Sequence, residues 1–432
     1  MIDKKVMFVG LALHKNDATG ITLSNLFGGW SKDKLLMVAD LYNVKLSNEV
    51  GYNNTYILSD KEYKHQFPLN IVKSIINIFK QKNVEDLNKN KVGIADKNKV
   101  YKRKSFYSIL SKISEYFGLN HLLRCLLSED LKNWIKDNKP DYIYVILSTR
   151  HSILLVLELL KVFDIPVIVH IMDDWPTTLV RPGLLSLYWR KKIDNEFKVL
   201  LNKSKIRIAI SERMAKEYIE RYNCKWHYFH NPVDISFWRK SVNNNYMVSF
   251  PFTIIYSGRV SCGVDSTLEL FALCVDELIK NENYDIRLQI QTNSSLKWEK
   301  KYCGVDVSGY IEYDKLPLLL SNADLLLIPY DFDGIGYRFI KYSMPTKVSE
   351  YMISGTPILI VAPKSTALSE YASNYNWGCV ISENSKDAIK NGLKYIMNNQ
   401  KVREEYGKKS IDIAYKYHDI KVVQNEFQKL FR

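Results

Sequence analysis

Two doubly wound α/β domains are the fold this sequence predicts, and three observations lead there. The chain has 432 residues, more than one hydrophobic core usually serves and enough for two. Short apolar runs alternate with longer stretches of helical period, the pattern of parallel sheets covered by helices on both faces. A break around residues 238–251, where Asn243, Asn244 and Asn245 interrupt the periodicity, separates two sets of such alternations. The expected division is an N-terminal domain over residues 1–240, a second over 250–415, and a closing helix at 416–432 able to cross back onto the first. The carboxyl ends of strands in such paired domains face a central cleft, where ligands bind.

The elements follow in order. A strand over residues 5–13 leads into a loop of small residues, Asn16 to Gly20. A helix then begins near Ile21, with Thr19 or Asp17 as its cap. Residues 35–39 read as a second strand. The region from there to Phe117 is rich in Lys and Asn, with helical period at 71–79 and again at 101–116. In the latter, Lys102, Arg103, Lys104 and Lys112 flank Phe106, Tyr107, Ile109 and Leu110. That mix could form a basic amphipathic helix on a membrane surface, but is more often an ordinary solvated helix. Further on come a helix at 122–136, a strand at 142–147, a helix at 153–163, a strand at 167–171 and the loop 172–176. A strand at 207–210 ends at Ser211, which caps a helix over 212–222.

The second unit opens with a strand at 253–256, a turn at Ser257-Gly258-Arg259 and a helix at 266–279. Strands at 286–291 and 306–311, a helix at 315–321 and a strand at 323–329 follow. Residues 343–357 then read SMPTKVSEYMISGTP. Pro345 suits a first helical turn, where its missing N–H is harmless. Val348, Tyr351 and Met352 share one face, Lys347, Glu350 and Ser354 another. Gly355 ends the helix, and Pro357 opens an apolar strand over 358–362. Helices at 386–398, 401–417 and 419–431 complete the chain.

Composition narrows the function. Apolar residues make up 46% and charged residues 25%, which is ordinary for a globular protein. The formal net charge of +14 is carried largely by lysine and reads first as a compositionally biased, solvated surface, and second as one that meets an anionic membrane or ligand. Without zinc spacing, an RNA-binding signature or an Arg block, nucleic acid is not an expected partner. Six scattered cysteines with no C-x-x-C pair fit neither a zinc site nor a disulfide framework, and indicate a reducing compartment. The short apolar start is followed by His14, Lys15 and Asp17 and does not read as a signal peptide. No run approaches the ~20 apolar residues of a membrane span. The expectation is a cytoplasmic protein, resting at most on the inner face of a membrane.

Four segments should reach the cleft: 17–22, 170–175, 257–259 and 331–350. The helix start around Ser343, Pro345, Thr346 and Lys347 offers N–H groups and a partial positive charge to a phosphate. Glu350, one turn on, can accept hydrogen bonds from a pair of sugar hydroxyls. Gly258 and Arg259 supply a bare backbone and a forked guanidinium suited to a diphosphate. His170, Asp173 and Asp174 bring an imidazole and two carboxylates, fit for orienting a sugar or for acid–base work. Adjacent carboxylates on an extended loop point apart, so no metal site is expected there.

Ser257-Gly258-Arg259, Asn231-Pro232-Val233-Asp234, Ala323-Asp324 with Ile328-Pro329, and Pro345-x-Lys347-x-x-Glu350-Tyr351-Met352-x-x-Gly355-x-Pro357 belong together. The set resembles the GT-B glycosyltransferases, especially family 4 (glycosyl transferases group 1). The Pro-x-Lys-x-x-Glu-Tyr form is similar to a sub-group associated with bacterial surface polysaccharide assembly. That resemblance implies a GT-B fold of two Rossmann-like domains and transfer from a nucleotide sugar, UDP- or GDP-linked, to a glycan or lipid-linked acceptor. It also implies retention of configuration and no cofactor or essential metal. Glu350 would bind the donor ribose, while Arg259, Gly258 and the 343–347 backbone would hold the diphosphate. His170, with Asp173, would lie beside the transferred sugar, and Thr19 and Gly20 on the acceptor side. The family's first paired carboxylate falls at Tyr342, and the Lys usual after Gly-Arg is missing from 260–266, leaving Lys347, Arg338 or Lys341 to supply that charge. A GT-B sugar-nucleotide epimerase and a non-catalytic scaffold of the same fold are the alternatives.

Overall fold

The computed structural model describes residues 4–14, 17–67, 70 and 114–432. In chain order the strands of its first half are β1 (Val6–Val9), β2 (Leu35–Ala39), β3 (Thr55–Ile57), β4 (Tyr63–His65), β5 (Leu123–Cys125), β6 (Tyr142–Ile146), β7 (Val167–Ile171), β8 (Ile206–Ala209) and β9 (His227–Tyr228). Seven of them pair in parallel as β3-β2-β1-β6-β7-β8-β9, while β4 and β5 form a separate antiparallel ribbon. β1, β6 and β7 are buried throughout because helices cover both sheet faces. Met7 and Val9 therefore pack into one hydrophobic layer, and Val6 and Phe8 into the other.

The second half repeats the plan with β10 (Phe252–Ser257), β11 (Ile286–Gln291), β12 (Val305–Ser308), β13 (Leu325–Pro329), β14 (Ile358–Val361) and β15 (Cys379–Ile381). Their order, β12-β11-β10-β13-β14-β15, is again wholly parallel. In each sheet the chain leaves its first strand to one side and later fills the other. That creates a switch point between β1 and β6 and another between β10 and β13, the places where doubly wound sheets bind ligands.

Several elements depart from the sequence reading. The first helix starts at Ala18 and not near Ile21, because Asp17 accepts from the Gly20 N–H at 2.7 Å and caps it there. Residues 122–136 are not one helix: β5 pairs with β4, and the helix Glu129–Asn138 begins only after its cap Ser128. An unexpected helix spans Ser186–Lys203. The expected helices at 71–79 and, up to residue 113, at 101–116 lie outside the described residues.

The chain crosses between the two halves twice, side by side. The Val233 N–H donates to His418 O at 2.8 Å, and the Ile420 N–H donates to Val233 O at 3.0 Å. After the first crossing the asparagine-rich segment is strapped to the second half, with the Asn243 N–H on Ser354 O at 2.7 Å. After the second, the helix Ile420–Lys429 lies on the first half, where Phe427 meets Phe27 edge-on at 5.0 Å. No helix among the described residues is long and apolar enough to cross a membrane.

Candidate active site

The site is built around the carboxyl end of β10. Beyond Ser257 the chain turns at Gly258, whose φ of +154° favours glycine, and a Cβ there would collide with the Lys347 ammonium. That ammonium lies 4.0 Å from the centre of the Tyr256 ring, held by the ring's electron-rich face. Tyr256 also donates its hydroxyl to Arg259 O at 2.8 Å, fixing the turn that presents the exposed Arg259 side chain. Gly258 and Lys347, 89 positions apart, thus fit each other.

Lys347 opens the helix Lys347–Ser354, whose start is fixed from three sides. Tyr351, fully buried, accepts from the Ser257 N–H at 2.8 Å and ties the helix to β10. Asn231 donates to Thr346 O at 3.2 Å, and Ser211 donates to Tyr342 O at 2.7 Å, both from the first domain. Pro345 precedes the helix and closes its first turn by accepting from the Val348 N–H at 3.1 Å. Among the described residues the N–H groups of Met344, Thr346 and Lys347 find no protein acceptor. They provide the free donors of a helix start.

Glu350 sits one turn along and accepts from Tyr313 Oη at 3.1 Å. It and Lys347 are half-buried in a cleft crowded by protein, and each has its charged form disfavoured. Burial pushes Glu350 up to about 7, against the Tyr313 hydrogen bond and the Lys347 charge. Burial likewise brings Lys347 down to about 7, against the pull of Glu350. A Lys and a Glu both poised near neutrality, beside an exposed Arg, form a site built for a charged ligand.

From the first domain, Asp173 reaches this cleft after β7 and accepts from Ser343 Oγ at 3.3 Å. Solvent reaches its carboxylate, yet the surrounding protein raises its pKa, opposed by Ser343 and Arg259. Asp174 points the other way and is buried against Arg221 Nη1 at 2.6 Å, a structural pair.

His170 requires a correction. On β7 it shares the face of Ile168, beneath the cleft floor, and its fully buried ring lies with Nδ1 2.5 Å from Tyr144 Oη. Burial holds it neutral, with a pKa brought down to about 3. It does not meet the cleft. Thr19 and Gly20 stand in the first helix, at the carboxyl end of β1. A Cβ on Gly20 would come within 2.5 Å of His14 O, so this glycine serves close packing of the helix on the preceding loop.

Of the three cations available in place of the missing Lys, the structure brings Lys347 to Gly258. Lys341 instead lies over the Tyr342 ring at 4.8 Å, and Arg338 Nη1 reaches Thr177 O at 3.5 Å. Tyr342, where the resemblance implies a carboxylate, is buried, with Arg221 over its ring at 5.3 Å. Tyr313 was not foreseen: it stacks on Phe237 at 5.4 Å and closes one side of the Glu350 site. A lone Tyr in a short turn gives no sequence signal. Among the described residues no group of three or more His, Cys, Asp or Glu could hold a metal ion.

Two facing doubly wound domains, with a basic helix start at the switch point of the second, make up the GT-B fold. Residues 251–412 match the family described as Glycosyl transferases group 1, and residues 103–237 match Glycosyltransferase Family 4. The two matches together span most of the chain, which belongs to the family-4-like GT-B glycosyltransferases. Among solved structures, sucrose-phosphate synthase from Thermosynechococcus elongatus has a TM-score of 0.61 at 11% identity, over 99% of this chain and 98% of that one. HepE of Anabaena, in complex with UDP, has a TM-score of 0.60 at 12% identity over 98% of both chains. A glycosyltransferase from Rickettsia africae has 0.61 at 9% identity, over 100% and 98%. At these identities the likeness is one of fold. No curated protein matches the sequence.

Proposed function

We propose that this enzyme moves a sugar from a UDP- or GDP-linked donor to a glycan or lipid-linked acceptor, in surface polysaccharide or glycoconjugate assembly at the cytoplasmic face of a membrane. The observation that carries the reading is the fit of Lys347 into the space left by Gly258, next to Arg259 and one turn before Glu350. Glu350, aligned by Tyr313, accepts from the two ribose hydroxyls. Arg259, Lys347 and the free N–H groups of 344–347 hold the diphosphate and stabilise the charge that builds on it as the sugar departs. These cations do the neutralising in place of a metal, and the reaction keeps the sugar's configuration. Asp173, the carboxylate facing them from the first domain, lies on the sugar side. HepE is described in complex with UDP and with UDP-glucose, which favours UDP.

Calorimetric titration with UDP and GDP tests the reading, with thermal shift as a second measure, since a ligand of the folded state alone raises its stability. Loss of charge-assisted hydrogen bonds costs about 1.5–3 kcal/mol, so Glu350→Ala should weaken nucleotide binding roughly 10- to 150-fold. Unchanged affinity removes Glu350 from the site. A wild-type chain that binds no nucleotide is a scaffold.

A further inference from the structure

The first domain carries an apolar surface that the catalytic reading does not use. At the start of the helix Ser186–Lys203, Leu187 is 78% exposed and Tyr188 53%, and in the preceding turn Leu184 is 63% exposed. Tyr116 and Phe117 join them from a segment some seventy residues earlier. The two segments are held together: the Leu184 N–H donates to Tyr116 O at 3.0 Å, and Gly183 packs so closely on Tyr116 that a side chain there would clash. This is a fixed cluster of large apolar groups facing water, beyond the scattered single residues that need no explanation.

Its rim is basic. Arg181 precedes Leu184, and Arg190, Lys191 and Lys192 follow within one turn of Leu187 and Tyr188. Lys192 Nζ lies over the Tyr188 ring at 5.4 Å and donates to its hydroxyl at 3.0 Å. The nearby acids are already matched: Glu115 pairs with Arg181 at 2.8 Å, Asp194 with Lys198 at 2.7 Å, and Glu196 with Arg150. Leu, Phe and Tyr side chains bordered by Lys191 and Lys192, which make no ion pair among the described residues, have the chemistry of a surface that enters the headgroup layer of an anionic bilayer.

We infer that this face, Tyr116, Phe117, Leu184, Leu187 and Tyr188 with Lys191 and Lys192, docks the enzyme on an anionic lipid membrane. The inference deepens the membrane-side part of the proposed function and rests on it for its purpose. Leucine and aromatic side chains enter the interface while the lysines meet lipid phosphates, each worth about fivefold in partition. The charge complementarity selects lipid over a second copy of this equally basic chain.

The full chain is sedimented with phosphatidylcholine vesicles and with vesicles that also contain phosphatidylglycerol. Binding is expected to the anionic vesicles and not to the neutral ones. Lys191→Gln with Lys192→Gln should lower it roughly 25-fold, and Leu187→Ser with Tyr188→Ser should lower it at least tenfold, with melting temperature and UDP affinity retained. Absence of vesicle binding by a chain that binds UDP overturns the inference alone. So does vesicle binding that ignores Leu187→Ser/Tyr188→Ser. A dimer in size-exclusion chromatography that those changes dissolve assigns the face to a second copy instead.

Discussion

Lys347 should weaken the fold while it serves the ligand, and Lys347→Met separates the two effects. Methionine keeps the apolar stem beside Tyr256 but removes the ammonium that lies 4.0 Å from the ring centre. Burial has brought Lys347 from its usual range down to about 7, so the folded state disfavours its charge. Between about pH 7 and the ordinary lysine range the unfolded chain holds the extra proton, and stability rises with pH across that window. At or below neutrality the penalty is present in full, and methionine removes it. Glu350, left without its cation, takes up a proton and stays neutral, which limits the damage to the pair. The unliganded variant should therefore melt higher than the parent at pH 7, each kcal/mol being worth about 2–4 °C in a domain of this size. The same change removes the proposed charge-assisted contact to the diphosphate, worth about 1.5–3 kcal/mol, and should weaken UDP binding roughly 10- to 150-fold. Differential scanning fluorimetry with and without UDP reads both at once. A variant that melts lower and keeps its UDP-induced shift would make Lys347 a structural cation and refute the reasoning.

Two further outcomes follow from the same geometry. Asp173 faces the second domain without belonging to the nucleotide-binding elements, so Asp173→Asn should cut the rate of sugar transfer at least a hundredfold while UDP affinity changes less than threefold; a parallel loss of UDP binding in a calorimetric titration would move Asp173 into the nucleotide site. Nucleotide affinity should peak near neutral pH, because Glu350 takes up its proton below about 7 and Lys347 gives one up above about 7, each limb falling by up to tenfold per unit. Glu350→Gln should abolish the acid limb and Lys347→Met the basic one; a flat profile in the parent would show that neither group titrates in binding.

The sequence made much of this site legible because the relevant signals are local. Lys347 and Glu350 stand three apart on a helix bounded by Pro345 and Gly355, and Ser211 sits where a cap belongs before its helix. Strands buried on both faces announce themselves as unbroken apolar runs, as in β13. What escaped is non-local. β5 is three residues long and owes its existence to β4, which lies some sixty positions earlier. The helix Ser186–Lys203 has Leu185 at its cap position, with no side-chain cap bond, and spends its first turn showing leucine and tyrosine to water. Neither its start nor its amphipathic stripe could be read. His170 illustrates a different limit: period-two alternation puts it on one face of β7 with Ile168, but which face is covered is set by the neighbouring elements.

Tyr342 shows how departures from a family pattern can be structural in origin. Its ring is packed between Arg221 and Lys341, and its carbonyl is claimed by Ser211 of the first domain. Four positions on, Thr346 O is claimed by Asn231, also of the first domain, and between them Ser343 reaches Asp173. The loop proposed to hold the diphosphate with its N–H groups is therefore the same loop that latches the two domains together. In the proposed reaction a ligand pulling on residues 343–347 must also pull on Ser211, Asn231 and Asp173. Donor binding and the approach of the first domain's carboxylate then become one event, since packed interfaces shift between discrete arrangements and do not deform smoothly. The tyrosine side chain adds to that latch, because its ring receives Arg221 of the first domain at 5.3 Å.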